Sequence, residues 1–99
     1  MTKLGLLARI EARPEHAEKV GELLREAREL AEQEGSTVTW FAFRQDATTF
    51  GVFDTFEDEK GRTAHLEGRI AAALTEAAPT MLASAPDIRP VDVLAAKLP

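Results

Sequence analysis

The chain of 99 residues contains no cysteine, and this absence excludes several kinds of chemistry. Without thiols there is no disulfide framework, no thiolate nucleophile and no thiolate metal site. Basic residues do not cluster and the net charge is -5, whereas nucleic-acid binding needs a basic patch to neutralise phosphates. No apolar run is long enough to span a membrane, and there is no secretory leader pattern. These features predict a single cytoplasmic domain over residues 1–99 that binds neither nucleic acid nor membrane.

The sequence motifs of several well-known catalytic sites are also missing. The two histidines, His16 and His65, lie far apart in the sequence, and without cysteine they do not predict a metal site. There is no glycine-rich phosphate loop and no dinucleotide-binding fingerprint. Ser36 and Ser84 lack the turn and the partner residues of a nucleophilic serine. The sequence therefore predicts neither a metal nor a nucleotide cofactor.

The chain does contain a regular succession of strand-like and helix-like segments. An apolar stripe that follows Pro14 predicts a helix ending near Gly35. A second helix is predicted to begin with the acidic run 57–59 and to reach about Ala78, where Pro79 interrupts it. Period-two patterns predict the strands Thr2–Ala12, Thr37–Gln45, Thr49–Phe56 and Asp87–Lys97.

This β-α-β-β-α-β order predicts the split βαβ, or ferredoxin-like, fold. The expected α+β domain has four antiparallel strands in one sheet and two helices on one face. Pro90 places the last strand at an edge or a bulge. The second strand carries Trp40 and Ala42 on one side and Phe41 and Phe43 on the other, which predicts burial on both sides. Because the helices can cover only one face of the sheet, we expect a second copy of the chain to cover the other.

Five segments together resemble the antibiotic biosynthesis monooxygenase-like proteins of the dimeric α+β barrel group, over nearly the full length of the chain. The most specific part is Asp54 in the third strand, followed on the next helix by Ala64-His65-Leu66. The resemblance implies a homodimer with a pocket for a small molecule. The segments that carry it are Ala8–Pro14, Trp40–Arg44, Phe50–Phe56, Gly61–Leu66 and Val91–Ala95.

Members of this family include cofactor-free oxygenases of quinols and aromatic polyketides, and also haem-degrading enzymes. The haem-degrading members use an asparagine in the first strand, and this chain contains no asparagine. The tryptophan that usually follows the acid of the third strand is Phe56 here, and a common Ser-Pro-like segment is replaced by Gly68-Arg69-Ile70. The resemblance therefore implies a pocket, and it does not imply haem degradation or the asparagine-dependent oxidation of polyketides.

His65 and Asp54 are the predicted catalytic residues. A histidine that faces a pocket can take or give a proton near neutral pH, although it could equally belong to a structural polar network. A carboxylate in an aromatic strand must be paired, hydrogen-bonded or protonated. Asp54 could therefore act as a general base, orient His65, or tie the helix to the sheet.

Four further residues are predicted to bind substrate. Arg62 and Arg69 share the helical face of His65, and in a pocket they would favour an anionic oxygen. The alternative for both arginines is exposure to solvent. Trp40 and Phe56 could wall the pocket against an aromatic substrate, and their alternative is packing in the core or at a dimer contact.

Three functions are compatible with these residues. The first is a cofactor-independent monooxygenase of a quinol-like or other electron-rich aromatic molecule, in which His65 deprotonates the substrate, Asp54 orients His65, and oxygen reacts with the anion. The alternative is a non-catalytic dimer that binds a small metabolite. An isomerase or decarboxylase that uses the same histidine is a third possibility, and it would not depend on oxygen.

Overall fold

A computed structural model describes residues 3–99. Within these residues, four strands form one sheet, and helices cover one of its two faces. The strands are antiparallel throughout and lie in the order β2-β3-β1-β4. This arrangement confirms the predicted α+β, ferredoxin-like fold class. The elements are β1 (Leu4–Glu11), α1 (Ala17–Gln33), β2 (Thr37–Arg44), β3 (Thr49–Phe56), α2 (Glu59–Leu66), α3 (Arg69–Met81) and β4 (Asp87–Asp92).

The alternation of side chains along the central strands decides what faces the helices. Ala8 and Ile10 of β1 are buried, whereas Leu7, the residue before Ala8, is exposed on the opposite face. The register places Ala8 beside Val52 and Ile10 beside Phe50 of β3, so apolar side chains form one continuous layer under the helices. The main core cluster consists of Ala8, Ile10, Ala12, Ala17, Val20, Leu24, Phe50, Val52, Leu74 and Leu82.

The second helical region differs from the prediction of one helix reaching about Ala78. The chain leaves the helical conformation at Gly68, whose backbone is extended (φ -86°, ψ -175°), so α2 and α3 are separate helices. Pro79 lies inside α3, and the prediction that it interrupts the helix is wrong. The proline removes only its own hydrogen bond near the helix end, and the Leu82 N–H still donates to the Ala78 carbonyl at 3.2 Å. Within residues 3–99, no helix has both the length and the apolar character needed to cross a membrane.

The two edge strands also differ from the sequence prediction. The last strand ends at Asp92 and not at Lys97, because its pairing with β1 ends there, although Pro90 does lie in an edge strand as expected. The prediction that β2 is buried on both sides is wrong for the single chain. β2 is the other edge, and Phe41 and Phe43 are 55% and 42% exposed because no helix packs on their face of the sheet.

Candidate active site

The structure joins His65 to two carboxylates, one on each ring nitrogen. Nε2 donates to Oδ2 of Asp54 at 2.8 Å, and Nδ1 donates to Oε1 of Glu34 at 2.6 Å. The side chain of Asp54 is 2% exposed, that of His65 8% and that of Glu34 22%. The imidazole ring therefore connects a fully buried carboxylate with one that reaches the surface. We call Glu34, His65 and Asp54 the triad.

The triad is assembled by two adjacent elements and one distant one. Asp54 faces the helices because it has the same strand parity as Val52, which is also buried. α2 begins immediately after β3, where Oδ1 of Asp58 caps it by accepting from the Gly61 N–H at 2.8 Å. This short connection brings His65, in the last turn of α2, against the buried face of β3.

Glu34 reaches the triad from the end of α1. It is the first residue after the helix, and its backbone N–H donates to the Ala31 carbonyl. The Thr37 hydroxyl, at the start of β2, donates to the same Oε1 atom at 2.9 Å that accepts from His65. Glu34 is therefore fixed by both the backbone and a side chain of its own turn.

The pKa of His65 shows which of the opposing effects is stronger. Burial alone would lower the pKa, because the charged ring loses its water. The hydrogen bonds and the negative charges of Asp54 and Glu34 outweigh burial and raise the pKa of His65 to about 9. At neutral pH His65 is thus an imidazolium whose two N–H groups are both engaged. Such a ring cannot accept a proton, so the geometry does not support the predicted role of His65 as the base.

The second oxygen of Asp54 remains free for chemistry. Oδ1 is buried and has no hydrogen-bond partner among the residues that the structure describes. Asp54 and His65 line one cavity of about 30 Å³, enclosed by β1, β3, α2, α3 and β4; we call it the inner cavity. Its remaining walls are Leu6, Ala8, Val52, Leu66, Ile70, Ala71, Leu74 and Ile88, all of them apolar.

A second cavity lies on the Glu34 side of the imidazole ring. It measures about 230 Å³, it is open to solvent, and its lining includes Glu34, His65 and Arg69; we call it the outer cavity. Arg69 is thus near His65 but does not line the inner cavity with Asp54. Across residues 3–99, no three histidine, aspartate or glutamate side chains are grouped so as to hold a metal ion.

The other predicted substrate-binding residues lie outside the inner cavity. Arg62 pairs with Glu59 at 2.7 Å and approaches the Gly5 carbonyl at 3.4 Å. Phe56 is fully buried, and its ring centroid lies 5.2 Å from that of His65, so it packs against the imidazole. Trp40 is paired with Asp54 in the strand register, but it packs against the core clusters.

Trp40 also lines an open groove of about 880 Å³ between α1 and β2, which we call the α1–β2 groove. Its lining includes apolar residues such as Leu24 and Phe50 and the basic residues Arg25 and Arg28. Neither Asp54 nor His65 lines it. The groove is therefore separate from the triad.

Glu34 is the residue of the site that the sequence analysis missed. Its only sequence signal is an acidic residue at the end of a helix, just before Gly35. The helix macrodipole disfavours negative charge at that end, so a carboxylate there needs a compensating partner. The partner is the His65 cation, which lies 31 positions away in the sequence and could not be identified from it.

No family model and no curated protein matches the chain. Among solved structures, a protein of unknown function from Nitrosomonas europaea is 52% identical, with a TM-score of 0.96. The match covers 100% of this chain and 96% of that one. The chain belongs to the family of that protein.

More distant solved structures show how this family folds. A protein from Pseudomonas aeruginosa is 23% identical with a TM-score of 0.80, and the match covers 96% of this chain and 97% of that one. A structure named antibiotic biosynthesis monooxygenase is 19% identical with a TM-score of 0.79, with 93% and 99% covered. At these identities the similarity concerns the fold alone. The family thus has the antibiotic biosynthesis monooxygenase-like fold, which confirms the resemblance seen in the sequence.

Proposed function

We propose that the protein is a cofactor-independent monooxygenase of a small quinol-like or other electron-rich aromatic molecule, with Asp54 as the catalytic base. The observation that carries the proposal is the free Oδ1 atom of Asp54, a buried carboxylate oxygen at the wall of an apolar cavity. Through this oxygen Asp54 can accept a proton from a substrate hydroxyl group placed within hydrogen-bond distance in the cavity. The antibiotic biosynthesis monooxygenase-like fold agrees with this reaction class.

Molecular oxygen is the only co-reactant that this reaction needs. Asp54 accepts a hydroxyl proton from the quinol, and the quinolate transfers an electron to oxygen and then forms a carbon–oxygen bond with it. The resulting peroxide takes the proton back from Asp54 and loses water, whose second hydrogen comes from the attacked ring carbon. Quinol and oxygen thus give hydroxyquinone and water, and all electrons come from the substrate.

The charge of His65 suits it to a supporting role in this step. When Asp54 takes up the proton it becomes neutral, and the new negative charge lies on the substrate in the same cavity. The imidazolium, which lines this cavity, then faces the quinolate. A fixed cation at the place where negative charge develops stabilises the anion without reorganisation of solvent. His65 takes over the function that the sequence analysis gave to Arg62 and Arg69.

The inner cavity must widen to admit a substrate ring. At about 30 Å³ it has room for only a few water molecules. Two of its wall residues, Leu66 and Ile88, are 43% and 37% exposed, whereas Leu6 and Leu74 are buried in the core. The substrate would therefore enter between α2 and β4 by displacing Leu66 and Ile88.

We further propose that the working form is a homodimer joined through the helix-free face of the sheet. Leu7, Phe41 and Phe43 lie on that face, and each is more than 40% exposed in the single chain, at 43%, 55% and 42%. A group of apolar side chains this exposed usually marks an interface. A second copy with the same face would cover it by two-fold symmetry.

Oxygen consumption with a panel of hydroquinones tests the enzymatic proposal. Wild-type protein should consume oxygen and form hydroxyquinone, and Asp54→Asn should reduce the rate by about 100-fold or more, the usual contribution of a general base. Asp54→Glu keeps the charge but moves the oxygen atoms, so it should retain more activity than Asp54→Asn. Circular dichroism of both variants checks that they fold. Equal rates for wild type and folded Asp54→Asn would contradict the role of Asp54.

The second candidate function is non-catalytic binding of a small aromatic metabolite, and the α1–β2 groove favours it. At about 880 Å³ the groove can hold a whole aromatic ligand, which the inner cavity cannot. A ligand bound there should raise the melting temperature without turnover, because it binds only the folded state. The rise should persist in Asp54→Asn and disappear in Ala42→Glu, which places a charge in the groove. A rise that is lost only in Asp54→Asn would instead locate binding at the inner cavity.

A further inference from the structure

Glu34 is the member of the triad that neither the sequence analysis nor the proposed reaction assigns to a task. It does not line the inner cavity, so it cannot touch a substrate there. It contacts His65 at 2.6 Å through a side chain that is 22% exposed, and it lines the outer cavity. Any effect of Glu34 on the chemistry must therefore pass through the imidazole ring.

We propose that Glu34 is a positioning residue that keeps His65 charged and oriented, so that Oδ2 of Asp54 is engaged and Oδ1 is left free for the substrate. This inference rests on the proposed function of Asp54 as the base. It adds the residue that follows α1 to a site that is otherwise built from β3 and α2.

The geometry supports this role in two respects. With its Nδ1–H bound to Oε1 of Glu34, the ring has one orientation, and in it Nε2–H points at Oδ2 of Asp54 at 2.8 Å. Thr37 donates to the same Oε1 atom, so the carboxylate itself cannot rotate freely. Without Glu34 the ring would lose its partner on the outer side, and a cation with one carboxylate partner is held less firmly than a cation between two.

The charged groups around His65 leave few alternatives for this task. Asp54 faces the ring from β3, and Glu34 faces it from the end of α1.

Arg69 of α3 lines the outer cavity with the ring, and its positive charge would oppose an imidazolium. Arg62, on the same helix as His65, is bound to Glu59. The residues of β1 and β4 at the inner cavity, such as Leu6 and Ile88, carry no charge. Asp54 and Glu34 are thus the two groups that stabilise the charge of His65.

Titration of the His65 ring by nuclear magnetic resonance tests the proposal, and this readout does not depend on turnover. In Glu34→Gln the pKa of His65 should fall by about one unit or more, since the glutamine keeps a hydrogen-bond acceptor but removes the charge. Glu32→Gln is the matched control, because Glu32 lies two residues before Glu34, is 62% exposed and pairs with Arg28. It should leave the titration of His65 unchanged. An unchanged pKa in folded Glu34→Gln would overturn the proposal.

Chemical rescue separates positioning from a merely structural contact. Glu34→Ala enlarges the outer cavity, and formate can then occupy the place of the missing carboxylate. Formate should restore the pKa of His65 in Glu34→Ala and have no effect on wild type. If Glu34→Ala is folded and formate does not restore the pKa of His65, there is no site for a carboxylate beside Nδ1. This result would disprove the positioning role of Glu34.

Kinetics connect the triad to the reaction. In Glu34→Gln, kcat for oxygen consumption should fall about tenfold while KM stays the same, because the residue does not touch the substrate. A shifted pKa of His65 with unchanged kcat would overturn the catalytic relevance of Glu34. If wild type consumes no oxygen but the pKa and the rescue behave as expected, the proposed function fails and the structural role of Glu34 in holding His65 charged remains.

Discussion

His65 carries a charge that two separate parts of the chain maintain, and this makes it the residue on which the site depends. An isolated histidine has a pKa of 6.5, and the carboxylates of Asp54 and Glu34 raise it here to about 9 in spite of burial. The sequence analysis paired His65 with Asp54 of β3, and the structure joins the two side chains at 2.8 Å. The free oxygen belongs to Asp54, and the engaged ring belongs to His65.

The raised pKa of His65 predicts how stability depends on pH. The folded protein holds the imidazolium more tightly than the unfolded chain does, so this contribution to the free energy of unfolding is fully present below pH 6.5. It should be lost as the pH rises from 6.5 through 9, by up to about 3 kcal/mol. Urea unfolding across this range measures the change, and the curve for folded His65→Gln should be flatter. A wild-type protein equally stable at both ends of the range would contradict the ion pairs.

The secondary-structure elements were predicted well where their patterns are local. β3 has the predicted bounds, Thr49–Phe56, because its alternation matches its burial and a polar hairpin limits it on one side. The prediction of one continuous second helix is wrong at Gly68, whose extended backbone separates α2 from α3. Nothing in the local pattern distinguishes this glycine from Gly21, which lies inside α1.

Two glycines in different elements should respond differently to alanine. A Cβ atom at Gly5 of β1 would lie 2.9 Å from the backbone oxygen of Asp54 and 3.1 Å from Val91, so Gly5→Ala should cost about 1–3 kcal/mol of stability. Gly35, between α1 and β2, has no atom within 4 Å of such a Cβ, and Gly35→Ala should change stability by less than about 0.5 kcal/mol. Urea unfolding of both variants measures these costs. Equal costs for the two would show that β1 and β3 are less closely packed than the structure indicates.

At the scale of the whole molecule, the sheet has one covered face and one open face. The helices lie over Ala8 and Val52, whereas Phe41 and Phe43 on the other side remain accessible in the single chain. The sequence indicated that β2 is apolar on both sides, but it could not indicate that β2 is an edge strand. A homodimer through the open face would account for the apolar residues that the fold of one chain leaves exposed.

Light scattering at micromolar concentration tests the homodimer. Wild type should have twice the mass of one chain, and Phe41→Glu should have the mass of one chain, because the interface cannot accommodate an unpaired charge at its centre. Ala72→Glu introduces the same charge at an exposed position of α3 and should leave the mass unchanged. A monomeric wild type would contradict the dimer and would leave the exposed phenylalanines unexplained.

The sequence by itself determined the order of the elements and the α+β fold class, because these depend on local periodicity. Only the tertiary structure decided that Glu34 meets His65, that the ring is charged, and that Arg62 is bound elsewhere. These contacts join residues far apart in the chain, and the charge of an ionisable group depends on all the groups that folding brings near it.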